Sequence, residues 1–108
     1  MLRARGQVAS SEVVQADAAT LAVHGELTFA TAARSLAEGR RALAAGTQTR
    51  LDLAGLTRAD SAGLACVIAL AAHARRAGRR LDVVHWPAGL LALAEVCDVA
   101  VLFDPARP

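Results

Sequence analysis

Apolar positions along this chain follow two periods, and the change from one to the other marks out the elements. In Glu12-Val-Val-Gln15 two valines stand between polar residues and predict a short strand, and Asp17-Ala-Ala-Thr20 reads as a turn. Thr20-Leu-Ala-Val-His-Gly25 then sets Leu21 and Val23 on one side of a half-buried strand. A hairpin is the simplest arrangement of the two. From Phe29 the period lengthens: Phe29, Ala32, Leu36, Gly39 and Leu43 recur at threes and fours, the spacing of one helical face. Thr28 is placed to cap the first turn and Gly46 to end the helix.

Strand periodicity returns in Thr49-Arg-Leu-Asp-Leu53, with Leu51 and Leu53 on one side and Ala54-Gly55 closing it. A second helix is expected from Ser61 to Ala77, stopped by Gly78, followed by a strand over Leu81-Asp-Val-Val-His-Trp86. Pro87 suits the first turn of a helix running to about Cys97, and Val99 to Phe103 reads as a last short strand. The order β-β-α-β-α-β-α-β implies right-handed crossovers between parallel strands, with the initial hairpin supplying an antiparallel edge. The expected fold class is therefore α/β: a single mixed sheet, mostly parallel, covered by about three helices. Residues 1–108 are expected to form one domain, with linker-like composition only at the ends.

Composition narrows the function. Apolar residues make up 55% of the chain, but only 3% are aromatic, so alanine carries much of the core and helices are expected to approach closely. The net charge is +2, and every basic residue other than histidine is an arginine. The densest group is Arg75, Arg76, Arg79 and Arg80, at a helix end where positive charge suits the helix dipole. Without interleaved aromatic residues it does not make a nucleic-acid surface. The longest apolar run, Leu64 to Ala72, falls far short of the ~20 residues that span a bilayer, so no direct membrane insertion is expected. No secretory signal pattern is read, and Cys66 and Cys97 are expected to be reduced thiols in a cytoplasmic protein.

The most informative segment is Leu51-Asp-Leu-Ala-Gly-Leu-Thr-Arg-Ala-Asp-Ser-Ala-Gly-Leu64, where a strand ends, a loop crosses and Asp60-Ser61 leads into a helix. Ser61 suits the N-cap, and Gly63 leaves room for a close backbone approach. At 100° per residue, Leu64, Val67, Ile68 and Ala71 are expected to face the sheet, leaving Ala62, Cys66, Ala69 and His73 outside. A small, barely polar outer stripe beside an exposed serine suits the docking of another protein and equally an ordinary alanine-rich helix surface.

Asp60-Ser61-Ala62-Gly63-Leu64, after an L-D-L strand and a short loop, resembles the signature of STAS domains. Gly25-Glu26-Leu27 matches the family's G-E-L before its first helix, and the Leu81 strand and Pro87 helix follow in the expected order. The finer likeness is to the cytoplasmic STAS subunit of the Mla phospholipid ABC transporter. It rests on Gly25-Glu-Leu-Thr-Phe-Ala-Thr31, Leu51 through Ala65 and Leu90-Leu-Ala-Leu-Ala94. That resemblance implies a non-catalytic regulatory subunit, peripheral to the inner membrane of a Gram-negative bacterium. It would bind the ATPase subunit, within a complex with the permease, and support outer-membrane lipid asymmetry. Asp60, Ser61, Ala62, Cys66, Ala69 and His73 would form the partner surface. The alternative within the family is an anti-sigma factor antagonist, in which a partner kinase phosphorylates Ser61.

No catalytic set emerges from the residues. Ser61 lacks a base, since His24, His73 and His85 show no spacing that selects one, and His73 lies ~18 Å along the helix at 1.5 Å per residue. Asp52 reads as an outward strand residue rather than a metal ligand, and no ligand cluster accompanies it. There is no G-x-x-x-x-G-K phosphate loop, so the chain is not expected to be an ATPase or to hold a cofactor. Trp86 and Phe103, like Phe29, are expected in the core, and Glu26 either exposed near the Ser61 loop or in a plain helix-entry role.

Overall fold

A computed structural model describes residues 9–103; the linker-like ends lie outside the described residues. Strands β1 (Ser11–Asp17) and β2 (Thr20–Leu27) form the expected antiparallel hairpin, with Val13 opposite Val23. The Asp17 carboxylate accepts the Ala19 N–H at 2.9 Å and holds the turn between them. Helix α1 (Ala32–Ala45) leads to β3 (Arg50–Asp52), which pairs in parallel with the first half of β2. Strand β4 (Leu56–Ala59) pairs in parallel with the second half of β2, so β3 and β4 follow one another along the same edge. Helix α2 (Ser61–Arg76) crosses to β5 (Asp82–Val84), parallel to β3. Helix α3 (Ala88–Val96) and a 3-10 turn (Ala100–Phe103) complete the described chain.

The mixed sheet and its three helices are as the sequence predicts, with two elements corrected. Leu56–Ala59 is a strand where the sequence reads as a loop. Val99 to Phe103, expected as a strand, forms no sheet pairing and folds into the 3-10 turn. The cause lies at the end of α3, where Asp98 adopts φ 63°. Its N–H bonds to the Glu95 carbonyl and the Val99 N–H to the Ala94 carbonyl, which turns the chain back under the helix. Phe103 then meets Trp86 edge to face, with ring centres 5.0 Å apart, and both rings are half-buried against the core. Gly78, at φ 81°, closes α2 with the same pair of bonds, from its own N–H to Arg75 and from Arg79 to Ala74.

The core joins Leu21, Val23, Leu27, Leu51 and Leu53 of the sheet and its loops to Leu43 of α1, Leu64, Val67 and Leu70 of α2 and Leu90 of α3. Each such side chain contributes ~1.5–3 kcal/mol when fully buried. Buried polar groups are tied down as well. Gln48 bonds to Gln15 and to the Ala42 carbonyl, while Arg79 bonds to the carbonyls of Gln48 and Leu43. Part of the arginine cluster is thus a clamp between the end of α1 and the end of α2.

Candidate functional site

The ends of β2 and β4 lie side by side, so the loops that follow them open the two neighbouring helices together. Asp60 joins these loops. One carboxylate oxygen accepts the N–H groups of Ala62 and Gly63 at 2.9 and 3.1 Å, and the other accepts the Phe29 N–H at 3.1 Å. Burial alone would raise this carboxyl's pKa, but the N–H groups of Phe29, Gly63 and Ala62 outweigh it and hold the pKa below the usual carboxylate range. Asp60 is therefore the N-cap of α2, which corrects the expectation that Ser61 fills that position. Ser61 is the first helical residue and is exposed, its hydroxyl released from the capping duty that its neighbour performs.

Gly63 fixes the distance between the helix start and the sheet. A Cβ there would stand 2.1 Å from the Leu27 carbonyl oxygen, a backbone atom that cannot swing aside. The first turn of α2 thus rests directly on the last residue of β2.

Across the gap, α1 begins at Ala32, later than the sequence predicts. Thr31 rather than Thr28 precedes it; its hydroxyl accepts the Thr28 N–H at 3.0 Å and donates to the Glu26 carbonyl at 2.7 Å. Phe29 consequently sits in the turn before the helix and off its buried face. It is 86% exposed, which corrects its expected place in the core. Phe29 is thus an exposed ring whose backbone, in the turn before α1, is pinned by the cap of α2.

That gap is a shallow groove of about 330 Å3, walled by Ala32, Ala33 and Leu36 on α1 and by Ala62, Ala65, Cys66 and Ala69 on α2. Deeper in, Gly39 lets the Leu70 side chain lie against α1. Ala62, Ala69 and His73 are half-buried and share the flank of α2 that turns toward α1. Cys66 is a correction: it is 3% exposed and belongs to the core rather than the outer stripe. Burial pushes its thiol up to about 11, against a smaller opposing influence of Arg40. The buried side of α2 is set by Gly63, Leu64, Cys66, Val67, Leu70 and Ala74, so it is rotated from the predicted one. Ile68 and Ala71, expected to face the sheet, are half-exposed, and Ala65 is exposed. In an alanine-rich helix no single residue marks the inward direction; Leu64 and Val67 fix it only together with Leu70 and Ala74.

Among the described residues no group of three or more His, Cys, Asp or Glu side chains is placed to hold a metal ion, and no helix is long and apolar enough to cross a membrane. Asp52 is half-buried rather than free. It accepts the Ala54 N–H and meets His85 Nδ1, each at 2.9 Å. The Ala54 bond and, after an opposing effect of burial, His85 lower its pKa.

Comparison with known proteins identifies the class. The structure is similar to that of the anti-sigma factor antagonist SpoIIAA in its unphosphorylated form, with a TM-score of 0.67 and 14% identity over 85% of this chain and 84% of that one. It is also similar to the Bacillus cell fate determinant SpoIIAA in the phosphorylated form, with a TM-score of 0.63 and 14% identity over 85% and 86%. No match is found among curated proteins. The sequence family described as "Mlab, STAS domain" matches residues 10–104. The chain, with its mixed sheet, its three helices and its serine at the start of the second, belongs to the STAS family.

Proposed function

We propose that this protein is the non-catalytic STAS subunit of an Mla-type phospholipid ABC transporter, which binds the ATPase subunit on the cytoplasmic side. In this role the whole chain acts as one binding domain, and the transporter it serves maintains lipid asymmetry of a Gram-negative outer membrane. The observation that carries the reading is the surface at the start of α2. Asp60 does the capping, so the Ser61 hydroxyl is left exposed next to the Ala62/Ala65/Ala69 wall and the projecting Phe29 ring. These groups are presented outward and covered by no other described residue, as a protein-docking surface requires. The description of the matched family, which carries the Mla name, supports the choice of partner.

In this reading Asp60, Ser61, Ala62, Ala69 and His73 lie in or beside the contact, and Cys66 supports it from beneath. Small side chains let a partner approach closely, so bulk is penalised. Ala65→Arg is expected to abolish co-purification with the ATPase subunit while the domain retains its unfolding midpoint. Full co-purification would remove α2 from the interface.

A second reading has its own support: the resemblance to an antagonist solved both with and without phosphate. An exposed serine in the first turn of a helix can accept a phosphate that the helix dipole favours. Here Ser61 would be the target of an anti-sigma factor kinase. Incubation with such a kinase and ATP, followed by intact-mass measurement, would add one phosphate to the wild type and none to Ser61→Ala. An unchanged mass for the wild type would eliminate this reading.

A further inference from the structure

The groove between α1 and α2 is apolar at one end and basic at the other. Its α1 wall runs through Ala33 and Leu36 and continues, one turn on, into Arg40. Its α2 wall runs through Ala62 and Ala69 and continues into His73 and Arg76. Both arginines are exposed, and neither takes part in an ion pair among the described residues. Helix α2 contains no carboxylate, and the one in α1, Glu38, pairs with Arg34 at 3.9 Å on the flank away from the groove. Of the other arginines at these helix ends, Arg41 and Arg75 fall off the groove-facing positions, Arg79 is engaged on the Leu43 and Gln48 carbonyls and Arg80 on Asp82.

We infer that the occupant of this groove is an acidic amphipathic helix of the partner protein. Its apolar stripe would lie between Phe29 and Leu36, and its carboxylates would meet Arg40 and Arg76. The inference rests on the docking surface proposed above and adds the chemistry and direction of what docks there. Ala32 to Arg40 spans ~12 Å at 1.5 Å per residue, so about two turns of partner helix match the apolar wall before the charges meet. Small residues on both walls allow the helix to settle between them, and the uncompensated positive charge at one end fixes which way round it lies. A lipid surface fits less well, because two arginines at the end of a concave groove fall short of the four to eight clustered cations that bind anionic headgroups.

The test compares the full chain with two charge-matched double variants, binding the purified ATPase subunit of the same organism. Arg40→Glu with Arg76→Glu reverses the groove end. Arg34→Glu with Arg75→Glu makes the same change in net charge on the outer flanks of the same two helices. The groove variant is expected to weaken binding by about tenfold or more and to flatten its dependence on salt, while the flank variant stays within about twofold. Arg40→Gln with Arg76→Gln should fall between, and circular dichroism checks that each variant is folded. Equal losses in the two double variants would overturn the inference and leave the docking surface standing. A wild type that fails to bind the ATPase subunit would remove the partner assignment and this inference together. Sedimentation of the wild type with phosphatidylglycerol vesicles, lost in the groove variant alone, would reassign the basic end to lipid headgroups and overturn it as well.

Discussion

Helix α2 has two flanks, and they are built on different terms. On the α1 side, two helix starts are locked to each other and to the sheet through Asp60, Thr31 and Gly63, and the groove between them is lined by alanines. On the α3 side, Ile68, Ala71, Ala72 and Arg75 line a recess of about 200 Å3 with Leu102 and Phe103 of the 3-10 turn. No sheet pairing holds that turn, and its Val101 and Leu102 remain exposed. The first flank is a gap between fixed walls, and the second is a gap with one wall on a short returning segment. A docking surface gains from the former, because walls that are already fixed lose little freedom when a partner settles between them.

The sharpest way to break the contrast is to unseat the locked flank. Gly63→Ala places a methyl group 2.1 Å from the Leu27 carbonyl oxygen, and relief requires the start of α2 to lift off β2. The better helix propensity of alanine offsets only ~1 kcal/mol of the clash. A loss of ~3 kcal/mol or more in denaturant-induced unfolding is expected, with failure to fold as its upper limit. A loss below ~1 kcal/mol would mean that this flank yields as easily as the other.

The two thiols report the same difference without altering the fold. Cys66 lies under the groove with its thiol pushed up to about 11, and Cys97 is exposed at the end of α3. Thiolate is the reactive form, and burial removes access as well. At pH 8 a disulfide reagent should modify Cys97 promptly and Cys66 at least ~100-fold more slowly, with both reacting at once in denaturant. Comparable rates in the native protein would show that the groove floor opens as readily as the α3 end.

How legible these flanks were in the sequence follows from the side chains that define them. Large residues at regular spacing revealed the hairpin, α1, β3 and the extent of α2, because Leu21, Val23, Leu43 and Leu51 each mark an inward direction alone. The Asp60-Ser61-Ala62-Gly63 segment was legible too, since aspartate, serine and glycine before an apolar run mark a helix start. What was hidden turned on competition between neighbours. Asp60 and Ser61 are both good caps, and the bond that decides between them comes from Phe29, far away in sequence. The same long-range bond helps delay α1 and leaves Phe29 outside. Strand β4 offers only Leu56 as a buried side chain, too little for a periodic signal, and is held by its pairing with β2. Val99 to Phe103 is apolar enough for either state, and the left-handed turn at Asp98 decides it.

Asp60→Ala separates capping from docking. It removes the acceptor for three N–H groups, and a loss of ~2 kcal/mol is expected at pH 7. The carboxyl is held low in the folded state, so its stabilisation is complete above the carboxylate range of the unfolded chain and drains away as pH falls through the lowered value. The difference between wild type and variant should therefore shrink under strong acid. Unfolding curves collected from pH 7 downward test this, and a gap that stays constant would assign the loss to packing instead.

The smallest expected effect on stability is the most telling for function. Were Ser61 the N-cap, its replacement by alanine would cost ~1 kcal/mol. With Asp60 in that role and the Ser61 side chain exposed, Ser61→Ala should leave the unfolding free energy within ~0.5 kcal/mol of the wild type. The same variant should bind the partner measurably less well, because an exposed hydroxyl that does not cap its own helix is free to serve the contact. A full capping penalty would return Ser61 to the fold, and the locked flank would then present no polar group beside its alanine wall. Unchanged stability with weakened binding would separate the residue that builds the helix start from the residue that the helix start displays.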